Sequence, residues 1–252
     1  MAHARRPLIA GNWKMHKTVA QTRAFIAELL AAALPEEIDV VIAPPFTALE
    51  AAHDALGESP VFLGAQTMHE GAQGPFTGEI SPVMLIELGV TYVILGHSER
   101  RLQFGESDAS INNKVRSAIA HGITPVVAVG ETEAEHAAGV ARVRVVSQTV
   151  AAFAGVTAAD AGRCVVAYEP IWAIGTGLVD SPEGANAVIG EIRACVAGLE
   201  NARLLYGGSM KGENAAALMA QPNVDGGLVG GASLTVPGFL AIVEAARARA
   251  NA

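Results

Sequence analysis

The 252-residue chain is poor in cysteine, in aromatic residues and in basic charge. Its two cysteines, Cys164 and Cys195, form neither a CxxC motif nor a metal-ligand spacing. This argues against a disulfide framework or a zinc site and favours a reducing, cytoplasmic setting. The 25 acidic residues outnumber the 17 lysines and arginines, so the formal net charge is −8. Because nucleic acids and anionic membranes attract basic proteins, we expect neither as a partner.

Long apolar runs and targeting segments are also lacking. The apolar stretch after Arg5 and Arg6 is interrupted at once by Asn12 and Lys14, so we do not expect a signal peptide. Residues 226–243 form an uncharged run that approaches the length of a membrane span, but glycine, proline and hydroxyl residues break it up. A strand, a glycine-rich loop and a helix explain this run better.

The chain is instead rich in short apolar runs, each followed by a loop and by a helical pattern of Ala, Leu and Glu. The predicted strands are Leu8–Gly11, Val40–Ala43, Val61–Gly64, Tyr92–Gly96, Pro125–Val129, Val165–Tyr168, Leu204–Tyr206 and Gly227–Val229. The predicted helices are Val19–Ala33, Thr47–Leu56, Pro82–Leu88, Asp108–His121, Glu133–Ala154, Pro182–Leu199, Glu213–Ala220 and Pro237–Ala250. This alternation indicates a parallel sheet with crossover helices, and the continuously apolar strands indicate that both faces are covered.

Eight strand–helix units in about 250 residues close naturally into one (β/α)8 TIM barrel, an α/β fold with eight parallel strands. An open, doubly wound sheet is the alternative, and the absence of GxGxxG after the first strand disfavours it. Linkers, low-complexity tracts and breaks in composition are absent from the sequence. We therefore expect a single domain over residues 1–252.

Polar residues and glycines follow several predicted strands at their carboxyl ends, where barrels of this kind carry their active sites. Asn12 and Lys14 follow the first strand, His97 the fourth and Glu169 the sixth. Glycine-rich segments follow the last three strands, and the N–H groups of such backbone suit a phosphate. Taken singly, Lys14 reads as a solvated lysine and His97 as a buried structural histidine. Their shared location at one face of the barrel favours a catalytic site instead.

The most informative stretch, residues 164–177, is a buried strand that ends in a carboxylate and continues into a small apolar tip and a glycine-rich segment. Pro170 restricts Glu169 to an extended backbone, so the carboxylate is held rigidly at the strand end. This pattern is typical of a base followed by a lid, although a solvated glutamate before an ordinary loop would look similar. The predicted lid consists of Pro170, Ile171, Trp172, Ala173, Ile174, Gly175, Thr176 and Gly177.

Five segments taken together resemble the triosephosphate isomerase family. They are GNWKM (Gly11–Met15), GHSERR (Gly96–Arg101), YEPIWAIGTG (Tyr168–Gly177), YGGS (Tyr206–Ser209) and LVGGASL (Leu228–Leu234). They occur in the family's order and spacing over essentially the whole chain. The resemblance implies interconversion of dihydroxyacetone phosphate and D-glyceraldehyde 3-phosphate through an enediolate, in glycolysis and gluconeogenesis. It implies no metal and no organic cofactor.

The resemblance also implies roles for single residues. Glu169 matches the family's base, and His97 matches its neutral electrophile. Lys14 matches the cation beside the developing enediolate, and Asn12 matches a polar contact to the substrate. The supporting carboxylate next to Lys14 corresponds to Glu99. The backbone N–H groups that hold the phosphate correspond to Gly175, Ser209, Gly230 and Gly231.

The connection from Gln66 to Glu79, after the third strand, is long, polar and rich in glycine. Long loops in compact domains are usually functional or disordered. By resemblance this loop reaches into a second subunit, where Thr77 lies near the other subunit's active site. The resemblance therefore implies a homodimer; a mobile surface loop is the alternative.

The sequence departs from the family's usual pattern in the hinge after the lid. The family usually carries a Lys-Thr-Ala-like segment, whereas this chain has Leu178-Val179-Asp180, which leaves the lid kinetics open. Two alternative functions also remain. An isomerase of a four-carbon ketose phosphate, such as erythrulose phosphate, would share the same catalytic residues and differ in pocket length. A non-catalytic phosphate-binding barrel would have lost the base or the electrophile, and neither is lost here.

Overall fold

Eight parallel strands form a closed barrel in the computed structural model, which describes residues 5–174 and 180–250. The strands are β1 Leu8–Asn12, β2 Asp39–Ala43, β3 Val61–Ala65, β4 Val90–Leu95, β5 Thr124–Val129, β6 Val165–Tyr168, β7 Arg203–Tyr206 and β8 Gly226–Val229. Each strand pairs with the next in sequence, and β8 closes the barrel against β1. The predicted parallel (β/α)8 barrel is confirmed.

Helices follow the strands around the outside of the barrel. They are α1 Val19–Leu30, α2 Leu49–Leu56, α3 Pro82–Glu87, α4 Ser98–Phe104, α5 Asp108–Ala120, α6 Glu133–Ala137, α7 Ala141–Ala152, α8 Ala158–Ala161, α9 Pro182–Cys195, α10 Gly212–Met219 and α11 Val236–Ala250. Short 3-10 helices cover Phe46–Ala48, Ile171–Ala173 and Gly231–Leu234. Within the described ranges, no helix combines the length and the apolar character needed to cross a membrane.

The prediction of one continuous helix over Glu133–Ala154 is wrong. The segment divides into α6 and α7, and Gly139 between them has a left-handed backbone with φ 71°. Glycine adopts this conformation without the steric penalty that a Cβ imposes, so the helix ends there and a second one starts in a new direction.

Alternate residues of every strand except β3 pack into two separate cores. The inner cluster consists of Leu8, Ala10, Val41, Ala43, Tyr92, Ile94, Val126, Val165, Ala167, Leu205 and Leu228. Their neighbours along the strands, such as Ile9, Ile42 and Val166, belong to the larger cluster shared with the helices. Because both sets are buried, most strand positions are apolar, as the sequence predicts for this architecture.

A buried carboxylate ties together the amino-terminal end of the barrel. Asp225, which directly precedes β8, is fully buried and pairs with three guanidinium groups, those of Arg5 at 2.9 Å, Arg193 at 2.6 Å and Arg249 at 2.7 Å. The backbone N–H of Leu204 donates a further hydrogen bond to the same carboxylate over 3.0 Å. The segment before β1, helix α9 and helix α11 are thereby joined at one point.

Candidate active site

A cavity of about 570 Å³ lies at the carboxyl ends of the strands. Its lining includes Asn12, Lys14, His97, Glu169, Ile174, Ser209, Leu228, Gly230 and Gly231. The structure therefore brings together the predicted base, imidazole and ammonium and three of the four predicted phosphate-binding positions. The fourth position, Gly175, lies outside the described residues, as do Thr176 and Gly177 of the predicted lid and Leu178 and Val179 of the hinge.

Glu169 follows β6 and is only 2% exposed. Its backbone N–H donates to the carbonyl of Val129 over 2.8 Å, which continues the barrel pairing by one residue. The backbone of Glu169 also lies directly against Gly130, where an added Cβ would sit 1.8 Å from the Glu169 carbonyl oxygen. This close approach excludes any residue but glycine at position 130 and fixes the position of the Glu169 backbone, from which the carboxylate extends.

Both carboxylate oxygens of Glu169 are already engaged. Oε1 lies 2.9 Å from Nε2 of His97, and Oε2 accepts a hydrogen bond from the backbone N–H of Ser98 over 2.9 Å. Ser98 is the first residue of α4, so this N–H would otherwise have no partner within the helix. The contact from Ser98 is not predicted from the sequence, although Ser98 lies inside the GHSERR segment.

His97 is the N-cap residue of α4, which begins at Ser98. Its Nδ1 accepts a hydrogen bond from the backbone N–H of Glu99 over 3.2 Å. This pattern assigns the ring proton to Nε2, which points at Glu169. The turn that delivers His97 from β4 depends on Gly96, whose φ of 71° is left-handed.

The pKa values of Glu169 and His97 depend on each other. Burial alone would raise the pKa of Glu169, but His97, the N–H of Ser98 and Lys14 together hold it below its ordinary value. Burial also acts most strongly on His97 and lowers its pKa, yet the adjacent Glu169 carboxylate reverses this and raises it. Since Glu169 is the main source of that rise, loss of this contact lowers the pKa of His97 and favours the neutral imidazole.

Lys14 is held in a loop with unusual backbone geometry. Its φ is 51°, and φ of Lys17 in the same loop is 75°, both in the left-handed region that favours glycine. The side-chain oxygen of Asn12 accepts the Lys14 N–H over 3.1 Å, and Nε2 of Gln66 donates to the Lys14 carbonyl over 2.8 Å. The Lys14 ammonium donates to Oε1 of Glu99 over 2.7 Å, so the predicted proximity of Glu99 to Lys14 is observed. No sequence pattern singles out Gln66 for this supporting role.

The glycine-rich end of the cavity is formed by the segment after β8. The hydroxyl of Ser233 donates to the Gly230 carbonyl over 2.7 Å and holds the 3-10 helix Gly231–Leu234 in place. A Cβ added at Gly231 would meet no atom of the described residues within 4 Å, so the packing of the protein does not require glycine there. Ser209 lies across the same cavity, in the loop after β7.

The described part of the predicted lid is fastened to Glu131, a fully buried residue that follows β5. Oε1 of Glu131 accepts hydrogen bonds from Nε1 of Trp172 over 2.7 Å and from the hydroxyl of Tyr168 over 3.0 Å. The backbone N–H of Ile171 donates to the Glu131 carbonyl over 3.1 Å. Sequence reasoning does not predict this role for Glu131, because nothing near it in the chain indicates its partners.

Thr77 is exposed and lies in the connection between β3 and α3. Phe76 beside it is 47% exposed. At the base of this connection, the hydroxyl of Thr67 donates to Oε1 of Glu106 over 3.3 Å. The connection is thereby tied to the end of α4, where Leu102 and Phe104 are 62% and 66% exposed. The homodimer stays a prediction.

Known proteins match this chain over nearly its whole length. A family model described as triosephosphate isomerase matches residues 7–246. The chain is 50% identical to the triosephosphate isomerase of Chloroflexus aurantiacus over 248 residues, which cover 95% of this chain and 99% of that protein. It is 51% identical to the protein of that name from Rubrobacter xylanophilus over 256 residues, covering 98% of this chain and 100% of that protein. Identity to the Carboxydothermus hydrogenoformans triosephosphate isomerase is 47% over 247 residues, with 95% and 98% covered.

Proposed function

The chain belongs to the triosephosphate isomerase family and is an isomerase, and on that premise we propose that it interconverts dihydroxyacetone phosphate and D-glyceraldehyde 3-phosphate. We propose further that it does so in the cytoplasm, in glycolysis and gluconeogenesis. One observation carries the proposal: Glu169, His97 and Lys14 come from three different strand ends and line one cavity large enough for a small sugar phosphate.

In this proposal Glu169 is the base that moves a proton between adjacent carbons of the substrate. A carboxylate serves as a base only when it is ionised, and the lowered pKa of Glu169 keeps it ionised at neutral pH. Because His97 and Ser98 occupy both of its oxygens, Glu169 has to leave at least one of them to reach a substrate carbon. The base therefore changes partner during each turnover.

His97 is the proposed electrophile. The proton next to a carbonyl is weakly acidic, so its removal requires that the charge developing on the oxygen is stabilised in the same step. Once Glu169 has moved to the substrate, burial favours the neutral imidazole, and its Nε2–H can donate to that oxygen. One such preorganised donor stabilises a transition state by about 3–4 kcal/mol in comparable sites.

Lys14 supplies the positive charge beside the enediolate, and Glu99 positions its ammonium through the 2.7 Å hydrogen bond. Asn12 contacts the substrate. The backbone of Ser209, Gly230 and Gly231 binds the phosphate together with Gly175, which lies outside the described residues.

The lid Pro170–Gly177 is proposed to close over the bound phosphate. Closure would exclude water and keep the enediolate from expelling its phosphate. Ile174, the last described residue of this segment, already lines the cavity.

The protein is proposed to act as a homodimer in which the loop from Gln66 to Glu79 brings Thr77 to the other subunit. Large exposed apolar side chains on neighbouring segments support this, since such patches mark protein interfaces. They are Met15, Phe76, Leu102 and Phe104. Thr77→Arg should give a monomer by light scattering with reduced turnover, whereas a variant that stays dimeric and fully active would contradict the proposal.

The decisive test is isomerisation of dihydroxyacetone phosphate in deuterated water, with a tetrulose phosphate measured in parallel. An enediolate route predicts deuterium at the carbon that receives the proton, with faster turnover of the triose phosphate. Preference for the tetrulose phosphate would favour the four-carbon alternative, and binding without turnover would favour a phosphate-binding barrel.

A further inference from the structure

The carboxylate of Glu131 is buried with little compensation for its charge. Its Oε1 accepts the two hydrogen bonds from Trp172 and Tyr168, whereas Oε2 has no hydrogen-bond partner among the described residues. An ionised carboxylate that is removed from water is unfavourable unless a positive charge or several donors offset the loss of hydration. A nearby group that can become positively charged will therefore affect the strength of the contacts that Trp172 and Tyr168 make with Glu131.

His136 is that group. Of the basic side chains in the described ranges, only His136 lies within 4.0 Å of Glu131, with its Nδ1 at 3.6 Å from Oε1. Its ring also stacks on the indole of Trp172, with the ring centroids 4.3 Å apart and the planes inclined by 31°. One imidazole thus contacts both the donor and the acceptor of the hydrogen bond that fastens the first part of the lid.

The backbone of α6 holds His136 in this position. Thr132 caps the helix by accepting the N–H of Glu135 over 3.3 Å, and Glu135 returns a 2.8 Å hydrogen bond from its carboxylate to the N–H of Thr132. The imidazole itself is about half exposed, because 50% of its side-chain surface remains in contact with solvent. It can therefore exchange a proton with solvent while it remains stacked on Trp172.

The charges that face His136 are mainly acidic. Besides Glu131, the carboxylate of Asp180 at the far end of the lid segment is close enough for His136 to act on it. Burial raises the pKa of Asp180, and His136 works in the opposite direction. On the neighbouring helix α7, Arg144 is engaged by Glu135 at 3.2 Å. A protonated His136 therefore faces two buried or half-buried carboxylates, those of Glu131 and Asp180. The one basic group nearby, Arg144, is already paired.

We propose that His136 is a positioning residue that holds Trp172 against Glu131 and that its protonation strengthens this hold. The neutral ring contributes stacking alone. The imidazolium adds an ion pair with Glu131 and a cation–π contact with the indole of Trp172. Histidine side chains change charge between about pH 5 and 8, so the strength of the hold changes over that interval.

The consequence for catalysis rests on the proposed function, in which the lid closes over the substrate. Substrate binding then includes the free energy needed to release Trp172 from Glu131. Acidification raises that free energy, so KM increases, while turnover at saturating substrate changes little because every lid is then already closed. Between pH 7.5 and pH 5.5, we expect the KM of the unmodified protein to rise about threefold to tenfold more than the KM of a variant without His136. This factor is typical of partly exposed ion pairs and cation–π contacts.

Fluorescence tests the contact without reference to activity. The chain has only two tryptophans, Trp13 and Trp172, and an imidazolium stacked on an indole quenches its emission. The emission of the unmodified protein should show a step between pH 5 and 8 that is lost in His136→Gln. The matched control is His16→Gln, which removes an exposed histidine near Trp13 and should leave the step unchanged.

The kinetic arm uses the same variants and adds His136→Arg, which keeps a positive charge at all pH values. After correction for the changes common to all variants, His136→Gln should have at both pH 7.5 and pH 5.5 the low KM that the unmodified protein has at pH 7.5. His136→Arg should have at both pH values the high KM that the unmodified protein has at pH 5.5. A fluorescence step that persists in His136→Gln, or KM values that move in parallel in all variants, would overturn the proposal. Failure of the proposed function is distinguishable, since every protein would then lack isomerase activity while the fluorescence step remained in the unmodified protein and in His16→Gln and was still lost in His136→Gln.

Discussion

The two ends of the barrel each bury a carboxylate, and they hold it in different ways. At the amino-terminal end, Asp225 is surrounded by three guanidinium groups that remain charged at any physiological pH. At the carboxyl end, Glu169 is held by one imidazole and one backbone N–H. Both carboxylates are almost completely inaccessible, so the contrast lies in their partners and not in their burial.

The difference corresponds to what each carboxylate has to do. Permanent charges with several hydrogen bonds make the Asp225 cluster costly to open, and it joins chain segments from three parts of the sequence. The partners of Glu169 are weaker and exchangeable, because an imidazole can lose its charge and a helix N–H can bond to water. In the proposed mechanism Glu169 binds and releases protons, and this role requires the second kind of environment.

The largest effect should come from shortening the working carboxylate. Glu169→Asp moves the carboxylate back by one methylene, so we expect turnover to fall by about 10²- to 10⁴-fold while KM changes little. Steady-state kinetics measure the fall, and the urea unfolding midpoint should stay close to that of the unmodified protein. Unchanged turnover would show that Glu169 is not the base.

Asp225, at the amino-terminal end of the barrel, should show the opposite outcome, a loss of stability with unchanged turnover. Asp225→Asn leaves three partly buried arginines without their carboxylate, so the free energy of unfolding should fall by about 3–5 kcal/mol. Turnover per folded molecule should not change, which urea titration and kinetics on the same samples will separate. The matched control is Asp54→Asn, whose exposed pair with Arg23 at 3.8 Å should contribute less than about 1 kcal/mol. Equal losses in the two variants would show that the Asp225 cluster stabilises the fold no more than an exposed ion pair does.

Gly96→Ala should affect stability and turnover together. A Cβ there would lie 2.9 Å from Ile111 and 3.2 Å from the carbonyl of Ala128, on a backbone with φ of 71°. We expect a loss of about 1–3 kcal/mol in unfolding free energy and a displaced His97, hence slower turnover. Gly105→Ala is the control, since its φ of 68° is similar but its Cβ would meet nothing within 4 Å. Turnover unaffected by Gly96→Ala would show that His97 tolerates a shift of its turn.

The smallest effect concerns Glu106, a carboxylate near the carboxyl end of the barrel. Like Asp225, it is paired with basic side chains. Burial would raise its pKa, but hydrogen bonds from Lys114 and Arg100 outweigh burial and lower the pKa below the ordinary 4.5. A lowered folded-state pKa stabilises the protein fully above pH 4.5, and this contribution disappears as the pH falls through the folded-state value. Unfolding free energy should therefore decline with acid below pH 4.5, less steeply in Glu106→Gln. Parallel slopes in both proteins would contradict the assignment.

The sequence was sufficient to predict the strands because each is a short apolar run bounded by polar or glycine residues. It also placed Asn12, Lys14, His97 and Glu169 at strand ends, and the barrel topology brings such positions to one face. The partners of Asp225 could not be found in this way, since Arg5 lies 220 residues away and Arg193 lies 32. Glu131 was missed for the same reason: its partner Trp172 is 41 residues distant. Contacts that depend on closure of the whole barrel leave no local pattern.

The strained loop of Lys14 and Lys17 has a consequence for adaptation to heat. Replacing Lys14 by glycine would relieve its left-handed backbone and delete the ammonium in one step, so a mutant library screened only for thermal tolerance should accept changes in this loop. A screen that also demands isomerase activity should reject the changes at Lys14. Selection on an organism retains Lys14 only while fast catalysis outweighs the stability that it forgoes.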